Sequence, residues 1–144
     1  MNGTLALEAK GPVTPVPVLK GHSQSVSAAI QTWPGIVAAT HWHFSGSNEV
    51  DGADFYVGAE ELGHIHLEGD VHLATTLELR KALMARKLAR PFRYLASWVE
   101  ASIDTPEDAA HAKWLFRLNY DRIMGEPVPS LLDRIAAYKG IEHP

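Results

Sequence analysis

The chain contains no cysteine, which excludes disulfide bridges, thiolate nucleophiles and zinc sites built on sulfur. A chain without disulfides fits a reducing compartment, so we expect a cytoplasmic protein. No stretch of about 18 uncharged apolar residues is present, and this argues against a membrane span. The first 21 residues lack a basic start followed by an apolar run, so they do not resemble a signal peptide.

The common enzyme signatures are also missing. There is no Gly-x-Ser-x-Gly, no His-Glu-x-x-His, no P-loop and no glycine-rich dinucleotide motif. Gly35, His41, His43 and Glu49 approach the first motif of a cupin metal site, but the spacing to Glu49 is too long and the second motif is missing. The sequence therefore assigns no catalytic residue and leaves open whether the protein is an enzyme.

Charge is distributed unevenly along the chain. Residues 21–79 contain no Lys or Arg, although they hold eight of the 17 acids and six of the eight histidines. Six of the 13 basic residues then fall within 80–93, namely Arg80, Lys81, Arg86, Lys87, Arg90 and Arg93. Such a cluster could bind nucleic acid, but it is also typical of a solvated helix surface, and the net charge of −4 opposes binding to a polyanion.

The length of 144 residues suits one domain with its own core. We expect residues 1–21 to form an extended arm, because several prolines fix φ and remove backbone donors there. Residues 22–144 would form the domain. Its first element is predicted to be a short helix capped by Ser23 or Ser25 and ending near Thr32.

Four strands are predicted next, at 36–44, 55–57, 62–67 and 71–74, because these stretches are rich in β-forming residues and are bounded by turn residues. A loop is expected at 45–52. The other connections are short, so the strands should form an antiparallel meander. Alternation at 98–103 predicts a fifth strand.

The hydrophobic period changes from two to about 3.6 after residue 75. A helix capped by Thr75 or Thr76 should end at Arg90-Pro91. A second helix should start at Thr105-Pro106, with Asp108 completing a capping-box-like start, and a third should cover 129–138. The elements together predict an α+β domain, in which helices pack on one face of an antiparallel sheet of about five strands.

Two histidine pairs carry the strongest chemical signal. His41-x-His43 and His64-x-His66 have i,i+2 spacing, so each pair should point to one face of a strand. If the two strands were neighbours, four imidazoles could meet and bind a transition metal, because imidazole suits Zn, Cu, Ni and Fe. Glu49, Asp51, Asp54 or Glu68 could complete the metal shell. The alternative is structural, with the rings bonded to the backbone or to nearby acids.

Acidic residues follow the second pair at a turn. Glu68 and Asp70 could join His64 and His66 in binding a small ligand or a metal. Two classes of function therefore remain open. The first is a small-ligand or metal-binding domain built on strand histidines. The second is a non-enzymatic interaction module, of which nucleic-acid binding through residues 80–93 is one version.

Several segments occur in an order that resembles a known family. They are Trp33-Pro34-Gly35, Phe55-Tyr56-Val57-Gly58, Glu61-Leu62-Gly63-His64-Ile65-His66, Trp98-Val99 and residues 115–122, LFRLNYDR. Over roughly residues 24–123 the chain resembles bacterial and fungal proteins labelled "luciferase domain", a label that names no established activity. The order of elements is also distantly similar to the MmcQ/YjbR double-wing fold, for which nucleic-acid binding has been suggested.

Overall fold

The computed structural model describes residues 15–43 and 49–140. These residues form an α+β domain, as predicted, with a sheet of six strands rather than five. The helices are α1 (Gly21–Ile30), α2 (Leu77–Ala85), α3 (Pro106–Ile123) and α4 (Val128–Ala137). The strands are β1 (Ile36–Trp42), β2 (Val50–Val57), β3 (Glu60–His66), β4 (Asp70–Leu73), β5 (Arg90–Pro91) and β6 (Val99–Ser102).

The sheet has the order β1-β2-β3-β4-β6-β5, and every neighbouring pair is antiparallel. Short turns join β2 to β3 and β3 to β4, so the predicted meander is confirmed. After α2 the chain returns through β5, and β6 then pairs with β4. Strands β3 and β4 consequently lie at the centre of the sheet.

The two faces of the sheet carry different side chains, because successive residues of a strand point in opposite directions. One face supplies Phe55, Ile65, Val71 and Val99 to the core, and α3 packs across it against β3, β4 and β6. Phe116 of α3 meets Phe55 edge-on with ring centroids 5.9 Å apart. The alternate residues point to the opposite face, and most of them are polar.

Helix α3 begins with the capping box expected from its sequence. The Thr105 hydroxyl accepts from the Asp108 backbone N–H at 3.1 Å, and the Asp108 carboxylate accepts from the Thr105 N–H at 3.2 Å. In the middle of the helix, the buried Asn119 side-chain amide donates to the carbonyls of Leu62 and Ala74. The helix is therefore attached to the strands by hydrogen bonds as well as by apolar contact.

The prediction that the helix after residue 75 ends at Arg90-Pro91 is wrong. Thr76 caps α2 as expected, but the helix ends at Ala85, and Lys87 adopts a left-handed conformation with φ of 58°. Arg90 and Pro91 then pair with β6 as the short edge strand β5. This strand accounts for the sixth member of the sheet.

Two further boundaries differ from expectation. Helix α1 begins at Gly21 and has no side-chain cap, whereas Ser23 lies buried inside it, because the first turn packs against the domain. Asp51 and Gly52, expected in a loop, belong to β2. Pairing with β1 and β3 on both sides outweighs the turn propensity of Asp-Gly.

Only the end of the predicted N-terminal arm falls within the described residues, because 1–14 lie outside them. Residues 15–20 form neither helix nor strand. They are anchored to the domain, since the Thr40 hydroxyl donates to the Pro15 carbonyl at 2.9 Å and Leu19 is buried in the core. None of the helices within 15–43 and 49–140 is both long and apolar enough to cross a membrane.

Candidate functional site

Four histidines meet on the polar face of the sheet. His64 of β3 lies opposite Asp54 of β2 and His72 of β4, and His72 lies opposite Glu100 of β6. One row across the strands therefore consists of Asp54, His64, His72 and Glu100. A second row places His41 of β1 and His66 of β3 on either side of Gly52.

Gly52 makes the approach of these two rings possible. A Cβ atom at this position would lie 2.0 Å from the Ile65 carbonyl oxygen and 2.8 Å from the His66 Cα, so no other residue fits. Since Gly52 has no side chain, the rings of His41 and His66 meet across it with centroids 5.1 Å apart. His41 also stacks on His64 at 3.8 Å.

Two β-bulges bring carboxylates to the same face. The β1–β2 register shifts between His41 and Trp42, which leaves Asp51 as an extra residue in β2. The β2–β3 register shifts between Phe55 and Tyr56, so that Tyr56 pairs with Glu61. Because of this second shift, Glu61 lies on the face of His64, whereas strict alternation would place these two residues on opposite faces.

Each of the four rings faces a carboxylate at one nitrogen. The pairs are His41 Nδ1 with Asp54 at 3.6 Å, His64 Nδ1 with Glu61 at 3.3 Å, His66 Nδ1 with Asp51 at 2.9 Å and His72 Nε2 with Glu100 at 3.2 Å. Ionised carboxylates only accept hydrogen bonds, so the nitrogen that faces one carries the ring hydrogen in a hydrogen-bonded pair. The second nitrogen is then left with a lone pair.

The second nitrogens of His64 and His66 both approach that of His72. His72 Nδ1 lies 3.0 Å from the Nε2 atoms of both His64 and His66. His41, His64 and His66 place one possible ligand atom each within 4.8 Å of one another. We call His41, His64, His66 and His72 the histidine cluster.

The histidine cluster favours uncharged imidazoles. Burial lowers the pKa of His64 to about 4, against the opposing effect of Glu61. Burial and the neighbouring His66 also lower the pKa of His72. The neutral ring is the form that ligates metal ions, so this environment keeps both residues in the binding state at neutral pH.

Aromatic residues of the β5–β6 loop border the cluster on one side. The Phe92 ring lies 4.3 Å from that of His72, and the Trp98 ring lies 5.9 Å from that of His64. Arg80 of α2 donates to the carbonyls of Leu95 and Trp98, which holds the loop in place. Tyr94 of the same loop is 72% exposed.

Of the residues that the sequence singled out, His41, His64 and His66 come together. His43 lies beyond the last residue of β1, after the bulge, and is absent from the donor groups formed by the described residues. Glu68 is exposed in the β3–β4 turn. The Asp70 carboxylate accepts from the Ser102 hydroxyl at 3.4 Å, and in the part of the chain that the structure describes no hydrogen bond or ion pair joins it to His64 or His66.

Sequence reasoning named Asp51 and Asp54 as possible acids of a metal shell, but it missed His72, Glu61 and Glu100 as members of the site. His72 could have been found, because Val71 and Leu73 flank it in a predicted strand and the short turn sets the two strands in register. The roles of Asp51 and Glu61 depend on the bulges. Glu100 depends on the pairing of β4 with β6, which are separated by α2 and β5.

The basic residues of 80–93 do not form a single free surface. Arg80 donates to the loop carbonyls, and Arg86 of the α2 C-cap donates to the carbonyls of Ile135 and Tyr138. Arg90 donates to the Ser102 hydroxyl and lies 3.9 Å from Glu100. Lys81, Lys87 and Arg93 are exposed.

Residues 59–119 match the model of a family described as Luciferase domain, which confirms the family resemblance seen in the sequence. The match begins at the β2–β3 turn and ends within α3, so it includes His64, His66 and His72. His41, Asp51 and Asp54 lie before it. No curated protein and no solved structure matches the chain.

Proposed function

We propose that this luciferase-domain-like chain binds a transition metal ion through its histidine cluster. The observation that carries the proposal is the direction of the ring nitrogens. Carboxylates occupy the outer nitrogens of His64, His66 and His72, so the inner nitrogen of His72 presents its lone pair to the inner nitrogens of His64 and His66, each 3.0 Å away. Lone pairs at this distance repel unless a cation lies between them.

A proton is a poor substitute for a metal ion at this position. The pKa of His64 is lowered to about 4, and that of His72 is lowered as well, so neither ring holds an extra proton at neutral pH. A metal ion satisfies several lone pairs at once. Zn–N bonds are about 2.0–2.1 Å, which places tetrahedral ligand nitrogens about 3.3–3.4 Å apart. The two separations of 3.0 Å from His72 Nδ1 are slightly shorter than this, so a small outward movement of the rings would admit the ion.

The carboxylates match the usual surroundings of metal-ligating histidines. Such a histidine almost always donates its other ring N–H to a carboxylate, a carbonyl or water, which orients the ring and makes the ligand nitrogen more basic. Here the carboxylates of Asp51, Glu61 and Glu100 face the outer ring nitrogens in this way. A set rich in imidazole favours Zn, Cu, Ni or Fe over Mg or Ca.

The metal content of the purified protein tests the proposal. We expect one equivalent of a transition metal at the histidine cluster, loss of that metal in His66→Ala, and its retention in the matched control His22→Ala. His22 is exposed at the start of α1 and belongs to neither group of possible metal ligands found among the described residues. Absence of metal from the wild type, together with no uptake of added Zn²⁺, Cu²⁺, Ni²⁺ or Fe²⁺, would mean that the histidines are structural.

Binding of a small organic ligand at the same metal is compatible with this function, and Glu68 and Asp70 stay predictions for such a ligand. Nucleic-acid binding through residues 80–93 has less support. Arg80 and Arg86 use their guanidinium groups to hold backbone carbonyls of the domain, and Arg90 lies beside Glu100. A cytoplasmic location and similarity to the double-wing fold likewise stay predictions.

A further inference from the structure

A second set of donor atoms lies beside the histidine cluster. Asp54, Glu61 and His64 each place one possible ligand atom within 4.8 Å of the others, and all three residues are buried. Carboxylate oxygens and imidazole nitrogens are both ligands that divalent transition metals such as Zn²⁺ accept. His64 belongs to both sets, because its two nitrogens point in different directions.

The carboxylates of this second set differ in burial from the other partners of the cluster. The side chains of Asp54 and Glu61 are each 1% exposed, whereas those of Asp51 and Glu100 are 20% and 31% exposed. Water therefore solvates the latter two but not the former two. A divalent cation bound between these two carboxylates would meet oppositely charged ligands in a site with little competing water.

The distances fit such a cation. His64 Nδ1 lies 3.3 Å from a Glu61 carboxylate oxygen, close to the separation of two ligands at a tetrahedral angle around an ion with bonds of about 2.0–2.1 Å. Asp54 lies directly opposite His64 in the β2–β3 register, so its carboxylate approaches from the neighbouring strand. Gly63, the residue before His64, is held too close to the His72 carbonyl to carry a side chain, which fixes the backbone next to the bridging ring.

We propose that Asp54, Glu61 and His64 bind a second transition metal ion and that the His64 imidazole bridges the two ions. His64 Nε2 binds the ion of the histidine cluster, and Nδ1 binds the second ion. When the Nδ1–metal bond forms, the Nδ1–H bond breaks, the proton passes to solvent, and the ring becomes an imidazolate that shares its negative charge with both cations. This inference rests on the metal site proposed above, and it adds a second equivalent of bound metal.

Metal stoichiometry separates the two proposals. The wild type, loaded with Zn²⁺ and freed of excess metal, should retain two equivalents, and Glu61→Gln should retain one. The glutamine amide oxygen can still accept from His64 Nδ1–H, so the first ion keeps its ligand orientation. Glu78→Gln is the matched control, because it makes the same chemical change at an exposed acid in the first turn of α2 and should leave two equivalents.

Each outcome has a distinct meaning. Retention of no metal by the wild type would contradict the metal site itself, whereas retention of one equivalent would overturn only the second site. Two equivalents in Glu61→Gln would also overturn the assignment of Glu61 as a ligand.

A spectroscopic measurement on the wild type gives an answer even if Glu61→Gln does not fold. Two Cu²⁺ ions joined by an imidazolate couple magnetically, so the electron paramagnetic resonance signal of the fully loaded protein should be much weaker than that of two isolated ions. It should regain the full single-ion intensity per copper when only one equivalent is added. Two equivalents of bound Cu²⁺ with uncoupled spectra would show that His64 does not bridge them.

Discussion

The two faces of the sheet are built from the same strands, but they depend on different kinds of interaction. On the helix-covered face, apolar residues such as Phe55 and Ile65 contact many neighbours, and each contact is weak and non-directional. On the other face, each histidine faces one carboxylate at a defined nitrogen. The first face stabilises the fold by summed burial, whereas the second depends on the placement of single atoms.

This difference implies that stability and metal binding can be altered separately. A change on the helix-covered face should lower the free energy of unfolding while leaving the ligand nitrogens in place in molecules that stay folded. A change on the histidine face should alter metal affinity more than folding. The following predictions test the separation, in decreasing order of expected effect.

The largest effect is expected from Phe116→Ala on the helix-covered face. The side chain is fully buried, meets Phe55 and packs over Gly63, so its truncation should lower the free energy of unfolding by about 3–5 kcal/mol through lost transfer energy and a residual cavity. Denaturant titration of the metal-free protein measures the loss. Zinc affinity at low temperature, where the variant is folded, should be unchanged; a large loss of affinity would contradict the separation of the faces.

The next largest effect is the dependence of folding stability on pH, which arises from the histidine face. The pKa of His64 is about 4 in the folded protein and 6.5 in an unfolded chain, so the unfolded state takes up the proton first as the pH falls. The stability of the metal-free protein should therefore decrease between pH 6.5 and about 4, by up to about 3 kcal/mol from this residue, and the lowered pKa of His72 acts in the same direction.

The comparison of wild type with His64→Gln isolates that contribution. Both proteins should be unfolded by denaturant at several pH values in the presence of a chelator. The wild type should lose more stability than the variant as the pH falls from 7.5 to 4. Parallel pH profiles for the two proteins would mean that His64 titrates normally in the folded state.

A smaller effect is expected from Asp51→Asn. The His66 ring would keep a hydrogen-bond acceptor at Nδ1 but lose the negative charge, so metal affinity should fall about 10–100-fold. The melting temperature of the metal-free protein should hardly change, because Asp51 is partly exposed. Competition with a chromogenic chelator measures the affinity, and an unchanged value would show that the carboxylates do not support the ligands.

The smallest effect is expected from the exposed cations Lys81 and Lys87. Their replacement by Ala should change the free energy of unfolding by less than about 0.5 kcal/mol. Neither the wild type nor the variant should shift nucleic acid in a gel at low salt. If the wild type does bind, affinity should fall by roughly 0.9 log units per log unit of salt for each phosphate neutralised, and the lysine variant should weaken it.

Much of the helix-covered face could be predicted from the sequence, because its determinants are local. The Thr105-Pro106 start of α3 and the inward stripe of Leu115, Phe116 and Tyr120 follow from capping chemistry and the 3.6-residue period. The end of α2 could not be predicted in the same way. The pairing of Arg90 and Pro91 with β6 decides it, and that is a tertiary contact.

The histidine face could be predicted only in part. Two-residue alternation correctly places His64 and His66 on one face, but the partner of each ring depends on register. A bulge changes which side chains share a face, and no simple signal in the sequence marks the bulges that position Asp51 and Glu61. His41, His64 and His66 were therefore visible in the sequence, with Asp51 and Asp54 as possible acids of the shell, while Glu61, Glu100 and the pairing of each acid with its ring were not.

Gly52 has a consequence for how this site can change during evolution. A substitution of one histidine removes a single ligand, so variants of this kind can lose metal gradually while the sheet persists. A side chain at Gly52 would collide with the backbone of β3 and force β2 away from it, which moves His66 away from His41. In a mutational scan under selection for folding alone, we therefore expect the histidines to vary and Gly52 to remain invariant, which makes the glycine the more durable mark of common descent.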